Sequence, residues 1–115
     1  MVKENKLLPG SIVNINIFPS RENGKKYMQS AVIVSNFILS ETSPFIWVVP
    51  ISQSIVSKGD YPLHVQLDER TKTNGTICVE QLKLFNFNKN ILRFVEMIPT
   101  DLLDEVRKKV QLVVN

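Results

Sequence analysis

Cysteine and histidine are nearly missing from this chain: Cys78 and His64 are the only ones of their kind among 115 residues. A lone cysteine excludes an intrachain disulfide. The two together are too few for a zinc site of four cysteines, or of paired cysteines and histidines. No metal and no cofactor is therefore expected. Long hydrophobic runs are missing as well. No stretch approaches the roughly 20 apolar residues of a membrane helix, and Met1 to Pro9 carries charges and no apolar run of signal-peptide length. The expectation is a soluble, cytoplasmic protein that makes no use of a membrane. Internal repeats, low-complexity tracts and linkers are absent too, which suits one domain spanning 1–115.

What remains is ordinary globular material. Hydrophobic residues make up 43% of the chain, enough for a packed core rather than disorder. The net charge of +3 and pI of about 9.1 are compatible with a nucleic-acid partner, although many basic domains have none.

The patterning is mostly that of strands. Val13, Ile15 and Ile17 alternate with Asn14 and Asn16, so Ser11 to Ile17 reads as a half-buried strand ended by Phe18-Pro19. Ser20 to Tyr27 is a charged loop. The unbroken run Ala31-Val32-Ile33-Val34 marks Gln29 to Phe37 as a central, two-sided strand. Ile38 to Pro44, rich in Ser and Thr, reads as a turn. Phe45 to Ser52 is a third strand, in which Pro50 implies a bulge or an edge. After the polar loop Gln53 to Tyr61, the alternation of Leu63, Val65 and Leu67 gives a fourth. Asn74-Gly75 is a turn signal, Thr76 to Leu82 a fifth strand, and Arg93 to Ile98 a short sixth. Pro99 then precedes a helix with Thr100 or Asp101 as N-cap and acidic residues in its first turn. Its apolar stripe of Leu102, Leu103, Val106, Val110 and Val113 or Val114 is suited to docking on a sheet. Short strands followed by one helix predict a mainly β fold: a small closed or nearly closed antiparallel barrel with a C-terminal α-helix.

The stretch from Tyr61-Pro62-Leu63-His64 to Thr73-Asn74-Gly75 resembles the fourth-strand region of PemK/MazF toxins. Glu80-Gln81 is similar to that family's (Asp/Glu)-Gln step. Phe94-Val95-Glu96, Ile98-Pro99 and Leu102 to Val106 resemble its usual ending. Ala31 to Asn36 and Val49-Pro50-Ile51-Ser52 fit its second and third strands. The resemblance implies an SH3-like or CcdB-like barrel that forms a homodimer. It implies a metal-independent endoribonuclease acting on single-stranded RNA, a growth inhibitor held in check by a cognate antitoxin.

The same resemblance locates the chemistry. Cleavage without a metal needs a base for the 2′-hydroxyl, an acid for the leaving oxygen, and a donor or cation for the phosphorane. The family opens its second strand with Arg-Pro, where this chain has Gln29-Ser30. Gln29 donates hydrogen bonds but carries no charge. Ser52 keeps the hydroxyl at the end of the third strand, and Glu80 keeps a carboxylate. Gln29, Ser52 and Glu80 are thus the candidate catalytic set, altered and weakened by loss of the arginine. Cys78 stands where some members have a basic residue and reads as a small core residue. His64 reads as a half-exposed strand residue. Glu22-Asn23-Gly24-Lys25 replaces the family's Gly-x-Glu-Gln, and Gly10-Ser11 its Gly-Asp. Candidate RNA contacts are Arg21, Lys25, Lys26, Lys58, Arg70, Lys72 and Lys83, with Tyr27, Phe85 and Phe87 as possible stacking platforms or packing residues. Two alternatives stand beside a weakened nuclease. One is a fully active nuclease using Ser52, Glu80 and a lysine; the other is an inactive homologue that binds antitoxin or nucleic acid. A gyrase poison is disfavoured by the ending Leu112-Val113-Val114-Asn115.

Overall fold

The computed structural model describes residues 7–19, 26–53 and 61–114. In chain order these form β1 (Ser11–Pro19), β2 (Lys26–Ile33), α1 (Phe37–Thr42), β3 (Phe45–Ser52), β4 (His64–Gln66), β5 (Thr76–Cys78), a 3-10 turn (Val79–Gln81), β6 (Lys83–Asn86), β7 (Leu92–Met97) and α2 (Thr100–Val114). The strands make one seven-stranded sheet in the order β4-β5-β3-β2-β1-β7, with β6 also on β3. All described pairings are antiparallel. The sheet is mainly β with a C-terminal helix, as expected, but it is open, so the barrel description holds only approximately.

β3 is the branch point. On one side it pairs with β2. On the other, Phe45 to Val48 pair with β6 and Ile51-Ser52 pair with β5. Val49 and Pro50 fall between the two ladders, and the opposing chain loops away there through the 3-10 turn. Pro50 has no N–H to donate, so it sits where that side of the strand needs none. The expected irregularity at Pro50 is thus real, but it lies in the facing segment. This break also explains a strand that the sequence reading did not separate. Thr76 to Leu82 is not one strand: β5 ends at Cys78, and β6 begins after the turn.

Alternation along β1, β2 and β3 sends apolar side chains to both faces. One core holds Ile12, Val32, Val49, Ile51, Val79 and, from α2, Leu102, Leu103 and Val106. The other holds Val13, Ile15, Ala31, Ile33, Val48 and Phe85. Phe85 is therefore a core residue, with Phe87 packed against it. The Ser/Thr-rich stretch after Asn36 is a short helix rather than a plain turn. The Asn36 side chain accepts from the Ile38 N–H at 2.9 Å, capping its first turn, and Thr42 and Ser43 hydroxyls donate back to the Ile38 and Leu39 carbonyls.

The long β4–β5 connection is pinned by charge. Glu96 of β7 accepts from the backbone N–H groups of Lys72 and Thr73 and from the Thr73 hydroxyl. Burial acts most strongly on the Glu96 carboxyl and pushes its pKa up, but these three donors and the Lys72 charge together hold it below the ordinary value. Arg70 grips Asp68 and Asp101, tying the same connection to the start of α2. Its hydrogen bonds hold both carboxyls below their usual value. A carboxylate with a depressed native pKa stabilises fully above its unfolded pKa and loses that stabilisation as pH falls through the native one. Glu96→Gln is expected to cost about 1 kcal/mol at neutral pH. Urea unfolding at about pH 7 and about pH 3 checks it: the variant loses less stability on acidification than the parent. Equal losses would show that Glu96 does not carry this linkage.

Candidate functional site

Antiparallel pairing of Ala31 with Pro50 sets the β2–β3 register. Continued by two residues, it brings Gln29 opposite Ser52. The Gln29 amide donates to the Ile51 carbonyl at 2.7 Å and to the Ser30 carbonyl at 3.2 Å, so its N–H groups are held by backbone. Beside them, the interruption in the other ladder of β3 opens a cavity of about 470 Å³. Its polar wall comes from Gln29, Ser30, Ser52, Gln53 and Gln81, with Cys78 between them and Met28 and Pro50 as apolar surface. Among the described lining residues none carries a charge. The described lining offers hydroxyl and amide groups to a ligand, and no cation.

The expected catalytic set is only partly brought together. Gln29 and Ser52 share the cavity. Glu80 is not among its lining residues and turns instead to His64, whose Nε2 lies 3.3 Å from Glu80 Oε2. Cys78 links the two places: it lines the cavity, and it groups with His64 and Glu80. Burial first, then the neighbouring Glu80 charge, pushes the Cys78 thiol up, against a hydrogen bond from the Ser52 backbone. The thiol is therefore neutral at pH 7 and a poor nucleophile, in line with its reading as a packing residue.

His64 differs from its expected half-exposed state, with a side chain only 10% exposed and a ring centroid 4.2 Å from that of Tyr61. It was missed as a partner of Glu80 because nothing in the residue order gives the β4–β5 register. Gln53 and Gln81 were missed as cavity residues because uncharged amides carry no motif of their own. Among the basic candidates, Arg70 is engaged by two carboxylates and Lys72 lies beside Glu96. Lys83 opens β6. Arg21, Lys25, Lys58 and the side chains of Lys26 and Tyr27 lie outside the described residues.

The model of the PemK-like, MazF-like toxin of type II toxin–antitoxin systems matches residues 8–114. The chain belongs to the PemK/MazF toxin family. Its fold agrees with solved structures. A MazE–MazF crystal structure from Deinococcus radiodurans superimposes with a TM-score of 0.82 at 19% identity, over 96% of this chain and 97% of that one. MazF alone from the same organism gives 0.77 at 20% identity, over 93% and 94%. An endoribonuclease in complex with its cognate antitoxin, from Mycobacterial species, gives 0.76 at 9% identity, over 93% of each chain. No curated protein sequence matches. Within the PemK/MazF fold, the β2–β3 cavity and the neighbouring His64–Glu80 pair are thus placed on a framework that these structures share at 9% to 20% identity. No helix among the described residues is long and apolar enough to cross a membrane.

Proposed function

We propose that this PemK/MazF-family protein is a cytoplasmic, homodimeric toxin that takes single-stranded RNA into the β2–β3 cavity, cuts it slowly without a metal, and is held by a cognate antitoxin. The observation that carries this reading is a cavity whose described lining brings Gln29 and Ser52 together and holds no charged residue. Ser52 supplies a hydroxyl for a phosphate oxygen. Gln29 holds the neighbouring backbone in place. Glu80 acts as base from just outside the described lining residues. Arg21, Lys25, Lys26, Lys58 and Lys83 follow the phosphates, which makes binding salt-dependent. Arg70 stands in the same set from the sequence, but its two carboxylate partners already balance its charge. The MazE–MazF complexes among the structural neighbours support an antitoxin partner.

Among the described lining residues, charge building on the phosphorane meets only neutral donors, and one transition-state donor is worth about 10²–10³ in rate. A long single-stranded RNA incubated with the protein in EDTA is expected to show slow, sparse cuts that disappear in Ser52→Ala. Fast, site-specific cleavage by the unaltered protein would refute the weakened site. A second reading, an inactive homologue that binds antitoxin or nucleic acid, is favoured by the engagement of both Gln29 N–H groups with backbone. Binding of RNA with no cleavage at any enzyme concentration would select it.

A further inference from the structure

His64, Cys78 and Glu80 form a group that the RNA reading does not use as a unit. His64 and Cys78 are a cross-strand pair of β4 and β5, so their side chains leave the sheet on one face. Val79 then turns into the main core, its N–H bonded to the Leu63 carbonyl at 3.0 Å. The 3-10 turn brings Glu80 back to the same side as Cys78. A ring nitrogen of His64, the sulfur of Cys78 and a carboxylate oxygen of Glu80 all lie within 4.8 Å of one another.

Two further observations separate this group from chance proximity. The His64 imidazole is nine-tenths buried, held against Tyr61. Both His64 Nδ1 and Glu80 Oε1 are buried without a hydrogen-bond partner. A buried carboxylate oxygen and a buried imidazole nitrogen left unpaired are costly, and such atoms call for an unseen partner. A cation between the three side chains would engage the carboxylate, the sulfur and one ring nitrogen, leaving the other ring nitrogen as it is.

We infer that His64, Cys78 and Glu80 bind a divalent transition metal of the zinc class, through one nitrogen, one sulfur and one oxygen. The donor set decides the class. Magnesium and calcium take oxygen ligands, whereas mixed imidazole, thiolate and carboxylate donors suit zinc or cobalt. In a tetrahedral zinc site with bonds of roughly 2.0–2.3 Å, neighbouring ligand atoms stand about 3.3–3.8 Å apart. Small side-chain rotations bring the group to that spacing. Binding replaces the S–H bond of Cys78 with a metal–sulfur bond, and the proton leaves to solvent. Three protein ligands leave a fourth position open. The thiolate and carboxylate ligands balance the two charges of the ion, so binding adds no net positive charge to the neighbouring cavity that Cys78 also lines.

Cobalt titration of EDTA-stripped protein tests the site without RNA. The expected result is one equivalent of Co²⁺, with a thiolate-to-cobalt charge-transfer band and the strong visible bands of four-coordinate cobalt, displaced by Zn²⁺ and not by Mg²⁺. Cys78→Ser removes the charge-transfer band. His64→Ala and Glu80→Gln weaken binding by roughly 100-fold or more, while far-UV circular dichroism confirms that each variant is folded. Glu80 is partly exposed, with 29% of its side chain accessible, so Glu80→Gln remains a folded test if the buried substitutions fail. An unchanged cobalt spectrum, or equal affinity in folded Glu80→Gln, overturns the inference and identifies His64–Glu80 as a plain hydrogen-bonded pair. Metal binding and RNA cleavage in EDTA are read separately, so either can fail without the other.

Discussion

Gln29→Arg is expected to raise the rate of single-stranded RNA cleavage in EDTA on the order of 100-fold. Gln29 lines the cavity across from Ser52 and already reaches the Ile51 carbonyl at 2.7 Å. An arginine is two atoms longer and brings five donors in a planar fork. One can keep the Ile51 bond while others extend toward a phosphate held at Ser52. A unit charge about 4 Å from the forming dianion interacts by about 4 kcal/mol at an effective dielectric constant of 20. Reorganisation and desolvation reduce the net gain to roughly 3 kcal/mol, the worth of a transition-state donor. The charge acts where negative charge develops, so the gain belongs mainly in kcat. Gln29→Lys should gain less, because an ammonium cannot hold the backbone and the phosphate with one planar group. Single-turnover kinetics on a defined RNA provides the measurement. Loss of the gain on adding Ser52→Ala ties it to the cavity, and a rate equal to that of the parent would show that missing charge is not what limits the site.

The largest stability effect is expected at Gly75. Its φ is +135°, a region that a side chain strains to occupy. A Cβ there would stand 2.7 Å from the Ser52 carbonyl oxygen and 2.8 Å from Ile51 Cγ2. Both belong to the end of β3 that is held in the ladder with β5 and cannot retreat cheaply. Gly75 cannot swing away either, since its carbonyl accepts from the Leu67 N–H at 3.0 Å. Backbone strain and overpacking together put the cost of Gly75→Ala at about 3 kcal/mol. A fall in Tm of roughly 10 °C is then expected. The displaced Ser52 backbone should also lower whatever RNA cleavage the protein has. A parent-like melting curve would show that the close approach is not a constraint.

Much of this frame was legible in the residues. β3 runs over Phe45–Ser52 as read, because its apolar run is bounded on both sides by polar segments. α2 begins where Pro99, Thr100 and Asp101 say it should. The elements that were not legible share a physical cause. α1 is six residues long and hangs on a cap and hydroxyl bonds, so periodicity has no room to show. Nothing in Cys78 to Leu82 marks a turn, since the break is imposed by how β3 divides between two partners. At the site, Gln29 and Ser52 could be placed through a matched family pattern. The approach of Glu80 to His64 could not, because it depends on the β4–β5 register, which sets His64 opposite Cys78. The count of cysteines and histidines bears only on sites made of those two residue types, and a mixed set with a carboxylate lies outside it.

The division of β3 between two neighbours has a consequence for how this protein can change. Val49 and Pro50 give up no ladder hydrogen bonds on that side, so residues 79–82, which follow β5, stand outside the β3 ladders that fix β5 and β6. Substitutions or small insertions there alter the lining of the cavity while leaving both flanking ladders closed. Within that segment Gln81 lines the cavity while Val79 packs into the core, so change is tolerated at the first position and restricted at the second.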